Sequence, residues 1–187
     1  MTTTTTKKNR LARRPMAFLT VVFGLFICGC EDVSDQAEQV GLKTLQQKLI
    51  SHSVLDGEQM VSEVRKQLQA EDVTDVEVVL KGRINAGKEG SPWEPGKAAF
   101  VLTDAIGHEG ESDHDPHECP FCSRNINDYL VMVSFLDDDG QLIEVDSQKL
   151  FDVSEKQTVY VAGTARIDPD DDLVYLDAAK IFPVTDQ

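Results

Sequence analysis

From Val76 onward, short stretches rich in Val, Ile, Phe and Thr alternate with clusters of Gly, Pro and Asp. This alternation limits the fold more than any other feature. "VEVVLKGRI" (76–84), "AAFVLTDA" (98–105), "YLVMVSFL" (129–136), "TVYVAGTARI" (158–167) and "LVYLDAAKIF" (173–182) each read as a strand. Between them, "NAGKEGSPWEPGK" reads as a loop, and "DDDG" as a turn after which "QLIEV" continues a hairpin. "DSQKLFDVS" reads as a short helical connection and "DPDDD" as the last turn. Short strands at this spacing, with one helical connection before the last two, favour a small closed barrel over an open β-sandwich.

The segment before the strands has a different period. Leu42, Leu45 and Leu49, then Val61, Val64 and Leu68, recur at helical spacing, so residues 31–70 are expected to form two helices. "SHSVLDG" would join them as a hairpin, with His52 solvated in the turn. Asp56 is placed to cap the second helix, with Gln59 three residues on and Leu55 stapled against Met60. The expected organisation is a signal peptide over 1–29, a helical stem over 30–72 and a barrel domain over 73–187, with a Cys/His-rich insertion at 106–128. The barrel stretches resemble the OB-fold, in particular small bacterial periplasmic OB-fold proteins. The likeness runs over about residues 76–183, broken by that insertion. It rests on Gly82 in the first strand, Phe100 and Asp104 in the second, and Val159, Val161 and Gly163 in the fourth. It implies a mainly β fold, an OB-like five-stranded barrel. A strand glycine permits the sharp coil that closes such a barrel.

The N-terminus reads as an address. Lys7, Lys8, Arg10, Arg13 and Arg14 precede an apolar run from Met16 to Cys30. A basic start and a short apolar core make a secretory signal, too short for a comfortable span of ~20 residues. Ile27-Cys28-Gly29-Cys30 resembles the bacterial lipobox, with Cys28 where Ala, Ser or Thr is more usual. The resemblance implies cleavage before Cys30, lipid on Cys30, and a place in the bacterial cell envelope facing the periplasm or exterior. The membrane would be a partner through the lipid anchor alone. The competing reading is an uncleaved N-terminal anchor helix.

Cleavage would leave a strongly acidic chain. The full chain has 18 Lys+Arg and 33 Asp+Glu, so losing the five basic residues of the signal leaves 13 against 33, a net charge of −20. Such a body repels phosphate backbones. OB-folds often bind nucleic acid through basic grooves and aromatic platforms, but Lys81, Arg83, Lys88 and Lys97 are diluted among carboxylates. No nucleic-acid partner is expected. Trp93, in "SPWEPG", is the candidate ligand contact, against the plainer reading that it packs on its own loop. No nucleophile elbow, phosphate-binding loop or zinc-protease helix motif occurs. The acidic turns lack the spacing of a calcium loop, and an enzymatic role is not favoured.

One constellation carries chemistry. "HDPHECPFC" (114–122) packs two cysteines and two histidines into nine residues, with His108 just upstream. C-x-x-C turns two thiolates toward one ion, and imidazoles can fill the remaining corners of a tetrahedron. Cys119, Cys122, His117, His114 and His108 are therefore the candidate metal ligands, with zinc the expected metal and copper(I) its competitor. Asp113, Asp115, Glu109, Glu111 and Glu118 add negative potential and candidate acceptors for the histidines. "CPFC" also resembles the C-P-x-C of glutaredoxin-type and thioredoxin-like oxidoreductases, which keeps thiol–disulfide chemistry as an alternative. That fold's βαβ pattern is missing here. A metal-ion chaperone and a plain Cys119–Cys122 disulfide in an oxidising envelope are further alternatives. The favoured role is a non-enzymatic binding or structural module acting with an envelope protein.

Overall fold

The computed structural model describes residues 32–70, 73–88, 90–104 and 115–185, with side chains from residue 38. The signal, Cys30, His108 and His114 lie outside the described residues. Helix α1 (Asp32–Leu49) is followed by a two-residue strand β1 (Glu58–Gln59), helix α2 (Val61–Ala70) and strands β2 (Val76–Ile84) and β3 (Ala99–Asp104). A 3₁₀ segment (Cys122–Tyr129), broken at Asn125, leads into β4 (Leu130–Phe135). Helix α3 (Ser147–Phe151) and strands β5 (Thr158–Asp168) and β6 (Leu173–Pro183) complete the chain.

The sheet runs β1-β2-β3-β4-β6-β5, and β5 returns to pair with β2. The last pairing covers Val76 to Arg83 and closes a five-stranded barrel. All its neighbours are antiparallel except β4 and β6, which run parallel from Val131–Val174 to Phe135–Ala178. This is the OB-like barrel that the strand spacing predicts. Alternation does the sorting: Val78, Leu80 and Ile84 of β2, and Val131, Val133 and Phe135 of β4, point inward and are buried. Each fully buried Val, Leu or Phe contributes about 1.5–3 kcal/mol.

Two glycines let the barrel close. A Cβ on Gly82 would lie 2.6 Å from the Thr103 carbonyl oxygen, and one on Gly163 only 2.3 Å from that of Asp177. Gly163 stands at the bulge where the β5–β6 register shifts. A bulge bends its strand and increases the local twist.

Helices close the two ends. At the start of β3, the Ser147 hydroxyl of α3 donates to the Ala99 carbonyl at 3.2 Å, and Phe151 packs on Phe135 with ring centroids 4.4 Å apart. At the far end of β3, the buried Asp104 carboxylate accepts the Val61 N–H at 2.5 Å and the Ser62 N–H at 3.2 Å. It thereby caps α2 from across the fold. Asp56 does not cap this helix; it precedes β1, and α2 begins only at Val61. A carboxylate supplied by the barrel satisfies the first amides instead. The expected helix hairpin is also replaced. α1 lies along α3 and β6, held by Gln46 donating to the Leu150 carbonyl at 3.0 Å and by a Lys149–Glu38 pair at 2.7 Å. α2 plugs the barrel, where Val61, Val64 and Leu68 join the common core. "QLIEV" is no strand either: it folds back through the Leu136–Leu142 bridge, with the Ile143 N–H donating to the Phe135 carbonyl at 3.0 Å. The Ile143 carbonyl then accepts the Ala98 N–H at 2.8 Å, just before β3. His52 is exposed in its turn, as expected.

Candidate metal centre

The cysteine loop is tied to the barrel at both ends. Upstream, Asp115 is the anchor. Its Oδ1 accepts the His117 N–H at 2.9 Å, its Oδ2 accepts Asn85 Nδ2–H at 2.9 Å, and its carbonyl accepts the amides of Glu118 and Cys119 at 3.0 and 3.2 Å. Asn85 is the residue after β2 and is itself buried. Downstream, Arg65 of α2 has a buried side chain. Its guanidinium pairs with Asp128 at 3.0 Å and Asp172 at 2.6 Å, and donates to the Asp172 carbonyl at 2.8 Å. That one arginine joins α2, the 3₁₀ segment and the β5–β6 turn. Neither anchor stands out in the sequence, because each joins residues tens of positions apart.

Between these anchors, Cys119 and Cys122 are both buried, 6% and 3% exposed. The Cys122 N–H points at the Cys119 sulfur, 3.5 Å away, and the Ser123 N–H donates to the Cys119 carbonyl at 3.0 Å. Burial, together with the Cys119 contact, pushes the Cys122 thiol up from its ordinary value, and the Tyr129 hydroxyl pulls in the opposite sense. Burial and the Cys122 contact push the Tyr129 phenol up as well. Phe121, between the cysteines, is turned out and 73% exposed.

His117 is half-buried, with its ring beside Gly87; a Cβ added at Gly87 would come within 2.7 Å of Nδ1. Nε2 is buried and has no hydrogen-bond partner among the described residues. A cavity of about 340 Å³ opens beside this ring, lined by Asn85, Lys88, Glu118 and Lys156 among others. Among the described residues, no three His, Cys, Asp or Glu side chains form a group that could hold a metal ion. The structure thus brings the two sulfurs together and turns the His117 ring to the Gly87 side. His108 and His114 lie outside the described residues. Trp93 packs edge-on against Phe100, with centroids 6.0 Å apart. Lys81 lies over the Tyr160 ring at 5.2 Å, Lys88 faces Glu118 at 3.5 Å and Lys97 faces Glu94 at 3.3 Å.

Sequence reasoning missed two residues of this region. Tyr129 stood unremarked at the start of a strand, and Arg65 as one more charge on a helix. For Arg65 a signal was available: it follows Val64 directly and faces the core on the helical period that makes Val61, Val64 and Leu68 buried.

No family model matches the chain, and no curated protein matches it. Among solved structures it is similar to a protein described as an aspartyl-tRNA synthetase from Leishmania major Friedlin, at 14% identity and a TM-score of 0.41. The alignment covers 81% of this chain and 26% of that one, so the chain spans about a quarter of that protein's length. A likeness at this level carries no argument about function.

Proposed function

We propose that this chain is a bacterial envelope lipoprotein, anchored through Cys30, whose OB-like barrel carries a structural zinc site. Cys119 and Cys122 supply two thiolates, and two imidazoles drawn from His117, His114 and His108 complete a four-coordinate shell, one histidine being spare. The role is that of a non-enzymatic binding or structural module for an envelope protein. One observation carries the reading: Cys119 and Cys122 are both buried in one turn, in a loop that also holds a buried His117 nitrogen with no hydrogen-bond partner among the described residues. An unmet buried polar atom is costly, and coordination to a metal would satisfy it. The Cys122 amide aimed at the Cys119 sulfur favours charge on that sulfur.

The same features argue against the alternatives. An attacking thiol in an oxidoreductase is accessible, with its proton loosened by a helix N-terminus or a nearby cation. Here both cysteines are buried. A metal-ion chaperone must pass its cargo through an open face, which sulfurs 3% and 6% exposed do not offer. Elemental analysis of the full chain, with a thiol count and mass spectrometry of the membrane fraction, tests the proposal. One zinc per chain, lost in Cys119→Ser and in Cys122→Ser, and a lipid-modified Cys30 are the expected results. A metal-free chain with a Cys119–Cys122 disulfide would overturn the metal reading, and an intact Met1–Gly29 the lipoprotein reading.

A further inference from the structure

Residues 51–57 run as a strap between two strands of the barrel. The strap leaves β6, where the Ser51 N–H donates to the Ile181 carbonyl at 2.7 Å. It reaches β2 through β1, which pairs Glu58 with Val79 and Gln59 with Leu80. Gly57, just before β1, has a φ of 83°, a left-handed turn that takes the strap off the flank of β2. Further along that flank, β3 pairs only from Gly82. Among the described residues, Val76, Glu77 and Val78 therefore have β5 on one side and no strand on the other. No turn or loop backbone bonds to them there either. Backbone left open in this way is what an incoming strand pairs with.

Space for such a strand lies beside it. A cavity of about 520 Å³ is lined by Asp56 and Gly57 of the strap, Glu77 and Val78 of β2, and Gly163 and Asp177 of β5 and β6, among others. Among the described residues, no Lys, Arg or His lines it. Asp177 is paired with Arg166 at 2.7 Å. Asp56 and Glu77 are exposed, and neither has a hydrogen bond or ion pair among the described residues.

We propose that this groove docks an extended segment of a partner protein, which adds as a short strand beside Val76–Val78 and presents Lys or Arg side chains to Asp56 and Glu77. The inference rests on the binding-module reading of the barrel and deepens it; it uses neither the metal nor the lipid anchor. Three paired residues span about 10 Å, and alternate side chains of a strand point to one face. Cations two residues apart thus reach the same rim. Backbone pairing supplies the affinity, and the carboxylates select the sign of the partner.

The test uses the full chain and a fluorescein-labelled peptide of three Lys-Val repeats, read by anisotropy at physiological salt. One companion peptide carries glutamate in place of lysine. Another keeps the lysines and has its valine amides N-methylated, which removes backbone donors. Glu77→Lys and Asp139→Lys make the same charge change, the second in the exposed turn after β4. The basic peptide should bind wild type and Asp139→Lys alike, and shift the amide signals of Gly57, Glu77 and Val78. Glu77→Lys should weaken it about tenfold, because like charges then meet, and both companion peptides should bind wild type more weakly by a similar factor. Should Glu77→Lys lose its fold, Asp56→Lys makes the same reversal on the exposed strap. Equal weakening by Glu77→Lys and Asp139→Lys would show attraction to the acidic body alone. An N-methylated peptide as tight as its parent would show a groove for cations without strand pairing. Either result overturns this inference alone. A wild type that binds none of the three peptides overturns the binding-module reading as well.

Discussion

Asp104 shows how one residue can link two elements. It ends β3, its side chain is buried, and it accepts the first two amides of α2. Burial raises its carboxyl above the ordinary value of 3.8, while the Ser62 and Val61 hydrogen bonds oppose the shift. Asp104→Ala should cost about 1–3 kcal/mol, since it leaves buried amides unmet; urea unfolding measures the loss. The shift also fixes a sign. The folded chain holds the Asp104 proton more tightly than the unfolded chain does. This group's contribution to stability is thus fully present below the unfolded value and is lost as pH rises through the folded value. The stability of wild type relative to Asp104→Asn should therefore fall as the pH of the urea series is raised from about 4 toward 7. A difference that grew with pH would contradict the assignment. The sequence marked Asp104 only as part of a strand motif and offered Asp56 as the cap. Capping rules see neighbours in sequence, and this cap lies 43 positions away from the Val61 amide that it meets.

Among the elements, β2 and β4 were legible because their side chains obey a period of two and each is buried on one face only, whereas β3 is buried on both. "QLIEV" shares that composition but folds back over a single bridge and then bonds to the Ala98 amide before β3, an arrangement that no local pattern reveals. The helical faces were legible too, and Leu42, Leu45, Leu49, Val61, Val64 and Leu68 all meet the core. Their partners were not, because an apolar stripe does not say what covers it. The β5–β6 bulge supplies a test. Gly163→Ala sets a methyl against the Asp177 backbone, and should destabilise by about 1–3 kcal/mol, read as a melting temperature lower by several degrees. The 3₁₀ segment supplies another. With Arg65→Gln the grip on Asp128 and Asp172 is lost, so amide hydrogen exchange over 122–129 should quicken while the β2–β5 ladder stays protected. Equal protection in the two proteins would show that Arg65 does not hold the segment.

Taken whole, the molecule has the strand order of a barrel often used on nucleic acids and the charge of one that avoids them. The chain carries a formal charge of −15 with its N-terminus, and −20 once the five basic residues before Cys30 are gone. No measurable binding of single-stranded DNA or RNA is expected at physiological salt, because the phosphate term that dominates such affinity is repulsive here. A salt-sensitive micromolar complex would contradict this and would make Trp93 the first residue to replace. At this scale the fold was readable and the site only half so. "CPFC" announced two cysteines in one turn; both are buried, and the Cys122 N–H lies 3.5 Å from the Cys119 sulfur. What surrounds them depends on Arg65 and Asn85, whose contacts with the loop arise only when the barrel closes. The central claim is that this pair holds a metal. X-ray absorption at the zinc edge of the purified full chain reads it most directly. The account predicts a first shell of two sulfurs at about 2.3 Å and two nitrogens at about 2.0–2.1 Å, with the sulfur shell abolished by Cys119→Ser together with Cys122→Ser. Zinc bound only by oxygen and nitrogen, or a sulfur shell that survives the double replacement, would contradict it.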